Sequence, residues 1–179
     1  MGFTDTILKE EVLTIRIHII GGSGSGKSYV ASLLSGKLGI PHYDLDDIFW
    51  HNQSNEYGVK APEEERDRQL KEIIGFDSWI VEGVYRSWVE PSFAAADKIV
   101  VLMTTLPVQE ERIWRRYEER ITGIDPSKKR ETLEGIHNLL TWNKDYNLIK
   151  LPDLISRWEY KDKMILVHNN LDLLELELI

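Results

Sequence analysis

One stretch restricts the fold more than any other. In "IHIIGGSGSGKSYV", residues 17–30, an apolar run carrying β-branched Ile17, Ile19 and Ile20 breaks into glycines and serines and resumes as "KSYVASLLSGKL". A short apolar run bounded by glycine reads as a buried strand, expected over 13–20. Val30, Leu33, Leu34 and Leu38 then recur at helical spacing over 27–38, and Gly39 stands where a helix C-terminal cap belongs. Strand, glycine loop and helix in immediate succession point to an α/β chain.

The rest of the sequence repeats this alternation. Apolar runs at 40–44, 79–83, 98–103 and 163–168 read as four more strands. Helices are expected from Pro62 to about residue 74, where Glu63, Glu64 and Glu65 fill a first turn that favours anions, and from Pro107 to about residue 121. A short helical linker holds Ala94 to Ala96, one or two helices occupy 131–160, a polar loop covers 123–130, and 171–179 closes as helix or strand. Strands separated by helices call for right-handed crossovers. The expected fold is therefore a three-layer, doubly wound, five-stranded parallel sheet. With 179 residues, 42% of them apolar, and no repeat or low-complexity linker, a single domain over 1–179 is expected.

Composition removes several function classes. There is no cysteine, which excludes disulfides, thiolate metal sites and cysteine nucleophiles. Residues 1–14 do not read as a signal peptide, and no apolar run approaches the roughly 20 residues of a membrane span, so a cytoplasmic protein without membrane contact is expected. A formal charge of −8 opposes broad attraction to nucleic acid, and no direct nucleic-acid partner is expected.

Gly21, Gly26, Lys27 and Ser28 satisfy the phosphate-loop spacing of glycine, four residues, then Gly-Lys-Ser. Between a strand and a helix, backbone N–H groups of Gly22, Ser23, Gly24, Ser25, Gly26, Lys27 and Ser28 can converge on a phosphate chain beside the positive helix end, with Tyr29 the next residue of that first turn. Glycine permits the positive φ angles and close approach this needs. Lys27 would reach the β- and γ-phosphates and the Ser28 hydroxyl would bind Mg²⁺, so the loop is read as a site for a nucleoside triphosphate.

Two further segments carry chemistry. In "YDLDDIFW", Asp44 and Asp46 lie two apart on an extended segment and so project to one side, toward the sheet edge where α/β folds bind ligands. That pair is read as functional, and Asp47 as the cap of a helix beginning near Ile48. On the helix from Pro107, Arg112, Arg115, Arg116 and Arg120 gather on one face, with Ile113, Trp114, Tyr117 and Ile121 opposite. Arg115 and Arg120 are read as solvated partners of neighbouring glutamates. His18, inside the first strand, is read as packed, and His42, His51, His137 and His168 show no metal spacing.

Together, "HIIGGSGSGKS", "LGIPHYDLDDIFW" and "EGVYR" resemble P-loop kinases of the adenylate kinase and shikimate kinase type, and most of all the group labelled DNA topology modulation proteins. The resemblance covers about residues 15–120. It implies ATP and Mg²⁺, an acceptor-side insert at about 46–76 and a short helical lid region at about 112–131. It implies that Asp44 and Asp46 position Mg²⁺ and an acceptor hydroxyl, with Asp46 as base or acceptor anchor. Glu82 would order metal-bound water or simply close its strand, and Arg86 would grip an acceptor phosphate. Arg112 and Arg116 reproduce the lid's Arg-x-x-x-Arg spacing, one guanidinium covering adenine and the other binding phosphate. Asn169 and Asn170 fall where adenine-contacting loops occur, and Arg66 and Arg68 lie on the helix bordering the acceptor. Two residues depart from the pattern: Glu82 stands where Asp is usual, and Tyr85 replaces the proline of adenylate kinases.

The activity implied is transfer of the ATP γ-phosphate to a nucleoside, nucleotide or other hydroxyl compound, by a monomer or homodimer. A nucleotide-binding regulator, or a slow NTPase acting on DNA topology through partners, is the alternative.

Overall fold

A computed structural model describes residues 14–51, 58–124, 132–157 and 159–175. Five parallel strands form one sheet in the order β2-β3-β1-β4-β5, namely β1 (Arg16–Gly21), β2 (His42–Asp44), β3 (Trp79–Gly83), β4 (Lys98–Leu102) and β5 (Met164–Val167). The chain crosses over through α1 (Lys27–Leu38), α2 (Leu45–Phe49), α3 (Glu63–Ile74), α4 (Glu90–Ala95), α5 (Leu106–Ile121), α6 (Leu133–Asp145) and α7 (Leu151–Arg157), and α8 (Asp172–Glu175) follows the last strand. A π-helical turn, Tyr146–Lys150, joins α6 to α7.

Side chains of successive strand residues point to opposite faces, so each strand feeds two cores. Ile17, Ile19, Ile80, Val100 and Leu102 pack with Val30, Ala31 and Leu34 of α1 and Leu173 of α8. Ile20, Val81, Ile99 and Val101 pack with Leu45, Leu70, Phe93, Tyr146 and Leu151 on the other face. Helices thus cover both faces of the sheet, which is the three-layer, doubly wound arrangement expected. β1 lies in the middle, which puts the loop after it at the centre of the sheet's carboxyl edge.

Local details correct several expectations. β1 begins at Arg16 rather than residue 13, and β2 at His42 rather than residue 40. The helix after β2 begins at Leu45, not near Ile48, and its cap is Asp44, whose carboxylate accepts from the Asp46 N–H at 2.8 Å. Asp44 wins because it is the last extended residue, the backbone geometry a cap requires. Ile121, on the helix face opposite the arginines, is 61% exposed at the last residue of α5. The 123–130 loop, the 46–76 insert and the lid region fall in part, and the end of the closing segment wholly, outside the described residues.

His18 is fully buried against the Phe93 ring, with centroids 4.2 Å apart. Ser92 Oγ donates its only hydrogen to the Val89 carbonyl at 2.8 Å. The 2.8 Å contact between His18 Nδ1 and that oxygen is therefore made by an Nδ1–H donor, and Nε2 carries the bare lone pair, with no hydrogen-bond partner among the described residues. Burial pushes the imidazole down to about 3 from 6.5. Between those values the unfolded chain holds the extra proton, so stability is lost as pH falls from 6.5 toward 3. We expect denaturation midpoints of the wild type to carry a contribution of about 1.4 kcal/mol per pH unit in that window. It should be absent in His18→Asn, whose amide replaces Nδ1; equal slopes in the two proteins would contradict the assignment.

Candidate active site

The loop after β1 turns through Gly24 at φ 76° and Gly26 at φ 94°, the left-handed region that side chains oppose. Gly26 is also the N-cap of α1, where no side chain supplies a cap, so the first-turn N–H groups face outward with the helix dipole behind them. Lys27 folds back and donates from Nζ to the Gly22 carbonyl at 2.9 Å. Ser28 Oγ donates to Glu82 Oε1 at 2.5 Å, joining the loop to the end of β3.

These groups border a cavity of about 970 Å³. Its wall includes Ser23, Gly24, Gly26, Lys27, Ser28 and Tyr29 from the loop and α1, Asp44 at the end of β2, Asp46 in the first turn of α2 rather than on an extended segment, and Glu82 at the end of β3. From α5 come Arg112, Arg115, Arg116 and Arg120, and beyond β5 come His168, Asn169 and Asn170. Arg115 and Arg120 border the same wall as Arg112 and Arg116, and Arg115 is 60% exposed and pairs with Glu119 at 3.9 Å, the solvated pairing expected of it. Arg112 donates to the Gly24 carbonyl at 3.1 Å, and Arg116 to Ser23 Oγ at 3.1 Å.

Three residues stand apart from that wall. Gly22 offers its carbonyl to Lys27. Ser25 is fully buried, and its carbonyl accepts from Thr104 Oγ1 at 2.9 Å and Asn170 Nδ2 at 2.8 Å. Arg86 lies outside the cavity lining, with its guanidinium donating to the Lys150 carbonyl on the π turn at 3.3 Å. Arg66 stacks on Trp88, 4.8 Å from the ring centroid, and Arg68 pairs with Glu72 on the surface.

The electrostatics follow from packing one ammonium among three carboxylates. Burial pulls the Lys27 amine below its ordinary range, and Glu82, Asp46 and Asp44 pull it back up. Burial pushes Glu82 up to about 7, with Asp44 and Asp46 adding to the shift and Lys27 and the Ser28 hydrogen bond opposing it. Burial also raises Asp44, against the N–H bond from Asp46. Tyr85 donates to Asp46 Oδ1 at 2.6 Å, and burial followed by that carboxylate raises the phenol well above its usual range.

Ser28, Asp44, Asp46 and Glu82 present only hard oxygen donors, which suits Mg²⁺. Among the described residues no three His, Asp or Glu side chains could cage a metal by themselves. Such a set fits an ion that arrives with phosphate oxygens and keeps most of its water. No helix among the described residues is long and apolar enough to cross a membrane.

Sequence reading passed over the groups that hold the loop from behind: Thr104, Gln109, Asn143 and Asn147. Gln109 and Asn143 are fully buried. Their signal was a polar residue on a packing stripe, Gln109 one turn before buried Ile113 and Asn143 two turns after buried Ile136.

No family model matches the chain. The uncharacterized protein YqaC of Bacillus subtilis (strain 168) is 30% identical over 105 residues, which are 58% of this chain and 57% of that protein, so the match spans less than two thirds of the relative. Among solved structures, shikimate kinase from Bacteroides thetaiotaomicron superposes with a TM-score of 0.57 at 18% identity, over 92% of this chain and 100% of that one. Shikimate kinase from Acinetobacter baumannii, solved with shikimate, gives 0.56 at 18% over 90% and 89%. A gluconokinase from Sinorhizobium meliloti 1021 gives 0.53 at 17% over 90% and 88%. The chain has the fold of these P-loop kinases.

The raised Glu82 carboxyl yields a stability test. Between its unfolded value of 4.5 and about 7 the folded chain holds the extra proton, so stability declines as pH rises through that window. Glu82→Gln cannot ionise and still accepts from Ser28. We expect it to melt at a higher temperature than the wild type at pH 8, the gap closing toward pH 4.5; a variant that melts lower at pH 8 would contradict the assignment.

Proposed function

We propose that the chain is a small-molecule kinase that transfers the γ-phosphate of ATP to the hydroxyl of a small acceptor. The observation that carries this reading is the joining, in one cavity, of a phosphate loop with Lys27 and Ser28, a carboxylate pair and an arginine wall. The kinase names of the fold neighbours agree with it.

In this reading the first-turn N–H groups of α1 and the Lys27 ammonium hold the β- and γ-phosphates, and Lys27 leaves the Gly22 carbonyl to do so. Ser28 would hold Mg²⁺, with Asp44 and Glu82 as the neighbouring oxygen donors. Bound there, the ion neutralises charge on the phosphate oxygens. Asp46 receives the proton of the attacking hydroxyl. Tyr85 occupies its Oδ1, so Oδ2 is the oxygen that would take that proton. Arg112 and Arg116 neutralise charge on the transferring group, and Arg112 also reaches the base.

The carboxylate end of the cavity favours a hydroxyl compound over a nucleotide acceptor, because a phosphate beside Asp44, Asp46 and Glu82 would need a cation and Arg86 is bound to the π turn. Only the resemblance points to the regulator of DNA topology, and no observed feature favours it.

An ADP-release assay across polyols, sugars, nucleosides and nucleotides tests the proposal. We expect at least one acceptor to raise turnover, and Lys27→Ala and Asp46→Asn each to lower that turnover by about 10²-fold or more. A flat panel combined with tight, salt-sensitive DNA binding would reject the kinase and favour the regulator.

A further inference from the structure

A cluster of three amides, two of them fully buried and Asn147 half-buried, lies behind the phosphate loop, outside the cavity described above. Gln109 on α5 and Asn143 on α6 are fully buried, and Asn147 follows on the π turn, one turn beyond Asn143. Gln109 uses every hydrogen-bonding position of its amide. Its Nε2 donates to the Thr104 carbonyl at 2.6 Å and to Asn147 Oδ1 at 2.9 Å. Its Oε1 accepts from Asn143 Nδ2 at 2.9 Å and Asn147 Nδ2 at 3.1 Å. These bonds fix the orientation of the Asn143 amide, whose Oδ1 accepts from the backbone N–H of Ser23 at 2.7 Å.

The loop and the cluster also fit by shape. A Cβ added to Gly22 would come within 2.7 Å of Asn143 Oδ1 and nearer still to the amides of Asn147 and Gln109. A Cβ on Gly24 would lie 2.6 Å from the Gln109 carbonyl. Glycines here serve contact with the amides behind the loop as well as the turn in front of it.

We propose that Asn143, oriented by Gln109 and Asn147, is a positioning residue for the triphosphate. Resting on the reading of the loop as an ATP site, the inference is that pinning Ser23 preorganises the N–H groups that follow. A glycine-rich loop loses more conformational freedom on ordering than any other segment of its length. Ordering it during folding removes that cost from the binding step. The Ser23 N–H is spent on Asn143, so phosphate contacts fall to the N–H groups beyond it.

Two variants approach the contact from opposite sides in the full chain. Asn143→Ala removes the acceptor, and Gly22→Ala drives a methyl into the cluster without deleting a polar group. Hydrogen exchange of the Ser23 amide, and titration calorimetry with Mg·ATP at a temperature where circular dichroism shows both variants folded, provide the readouts. We expect Ser23 exchange to accelerate at least tenfold while Val100 in β4 is unchanged, and both variants to bind Mg·ATP about tenfold more weakly. With an accepted acceptor, KM for ATP should rise and kcat hold. If only one variant folds, that one decides. Unchanged Mg·ATP affinity in the folded variants, or loss of fold in both, overturns the inference and leaves the ATP site standing. A wild type that binds no Mg·ATP overturns the ATP site and the inference together.

Discussion

An ammonium withdrawn from water at the end of the central strand is the constraint on which the rest of the structure depends. Burial pulls the Lys27 amine below its ordinary range. Its charge is supported by Glu82 from β3, Asp44 from the end of β2 and Asp46 from the first turn of α2, and its Nζ donates to the loop carbonyl of Gly22. Burial raises Asp44 and Glu82, and the crowding of the three carboxylates adds to it. The support is mutual only between the ammonium and the carboxylates, since Lys27 in turn favours the ionised forms of Asp44 and Glu82. That interdependence ties β1, β2 and β3 to the phosphate loop, and the sheet order brings their carboxyl ends side by side.

The arginines complete a polarised cavity. A chain with a formal charge of −8 nonetheless gathers four guanidinium groups on one face of α5. Carboxylates from β2, α2 and β3 and cations from α1 and α5 therefore line the same cavity. In the proposed reaction, positioning and charge neutralisation are most of what the protein must supply. The same helix presents Gln109 to the amides behind the loop, so a single element shapes the loop from both sides.

How much of this was legible in the sequence depended on how local each feature is. The phosphate loop could be read because its glycines, Lys27 and Ser28 are contiguous and lie between a strand and a helix of clear periodicity. The cap at Asp44 and its place in the cavity were only half legible, since capping depends on where β2 ends, a matter of one residue. Arg86 was misplaced because its partner, the Lys150 carbonyl, is 64 residues away and is exposed by a π turn that no local pattern announces. Asn143 acts on Ser23 across 120 residues, and its only trace was an amide where an apolar residue belongs. The helical wheel correctly gathered four arginines but gave no means of telling which of them faced a cavity.

The most direct measurement of the central claim is a crystal structure of the wild type with Mg²⁺ and a non-hydrolysable ATP analogue. A working phosphate loop predicts the β- and γ-phosphates within hydrogen-bonding distance of the Gly26, Lys27 and Ser28 N–H groups. It also predicts Lys27 Nζ moved from the Gly22 carbonyl onto phosphate oxygen, and the adenine end held on the α5 side of the cavity. A crystal saturated with the analogue in which Lys27 still donates to Gly22, with the phosphates absent from the loop or bound elsewhere, would contradict it.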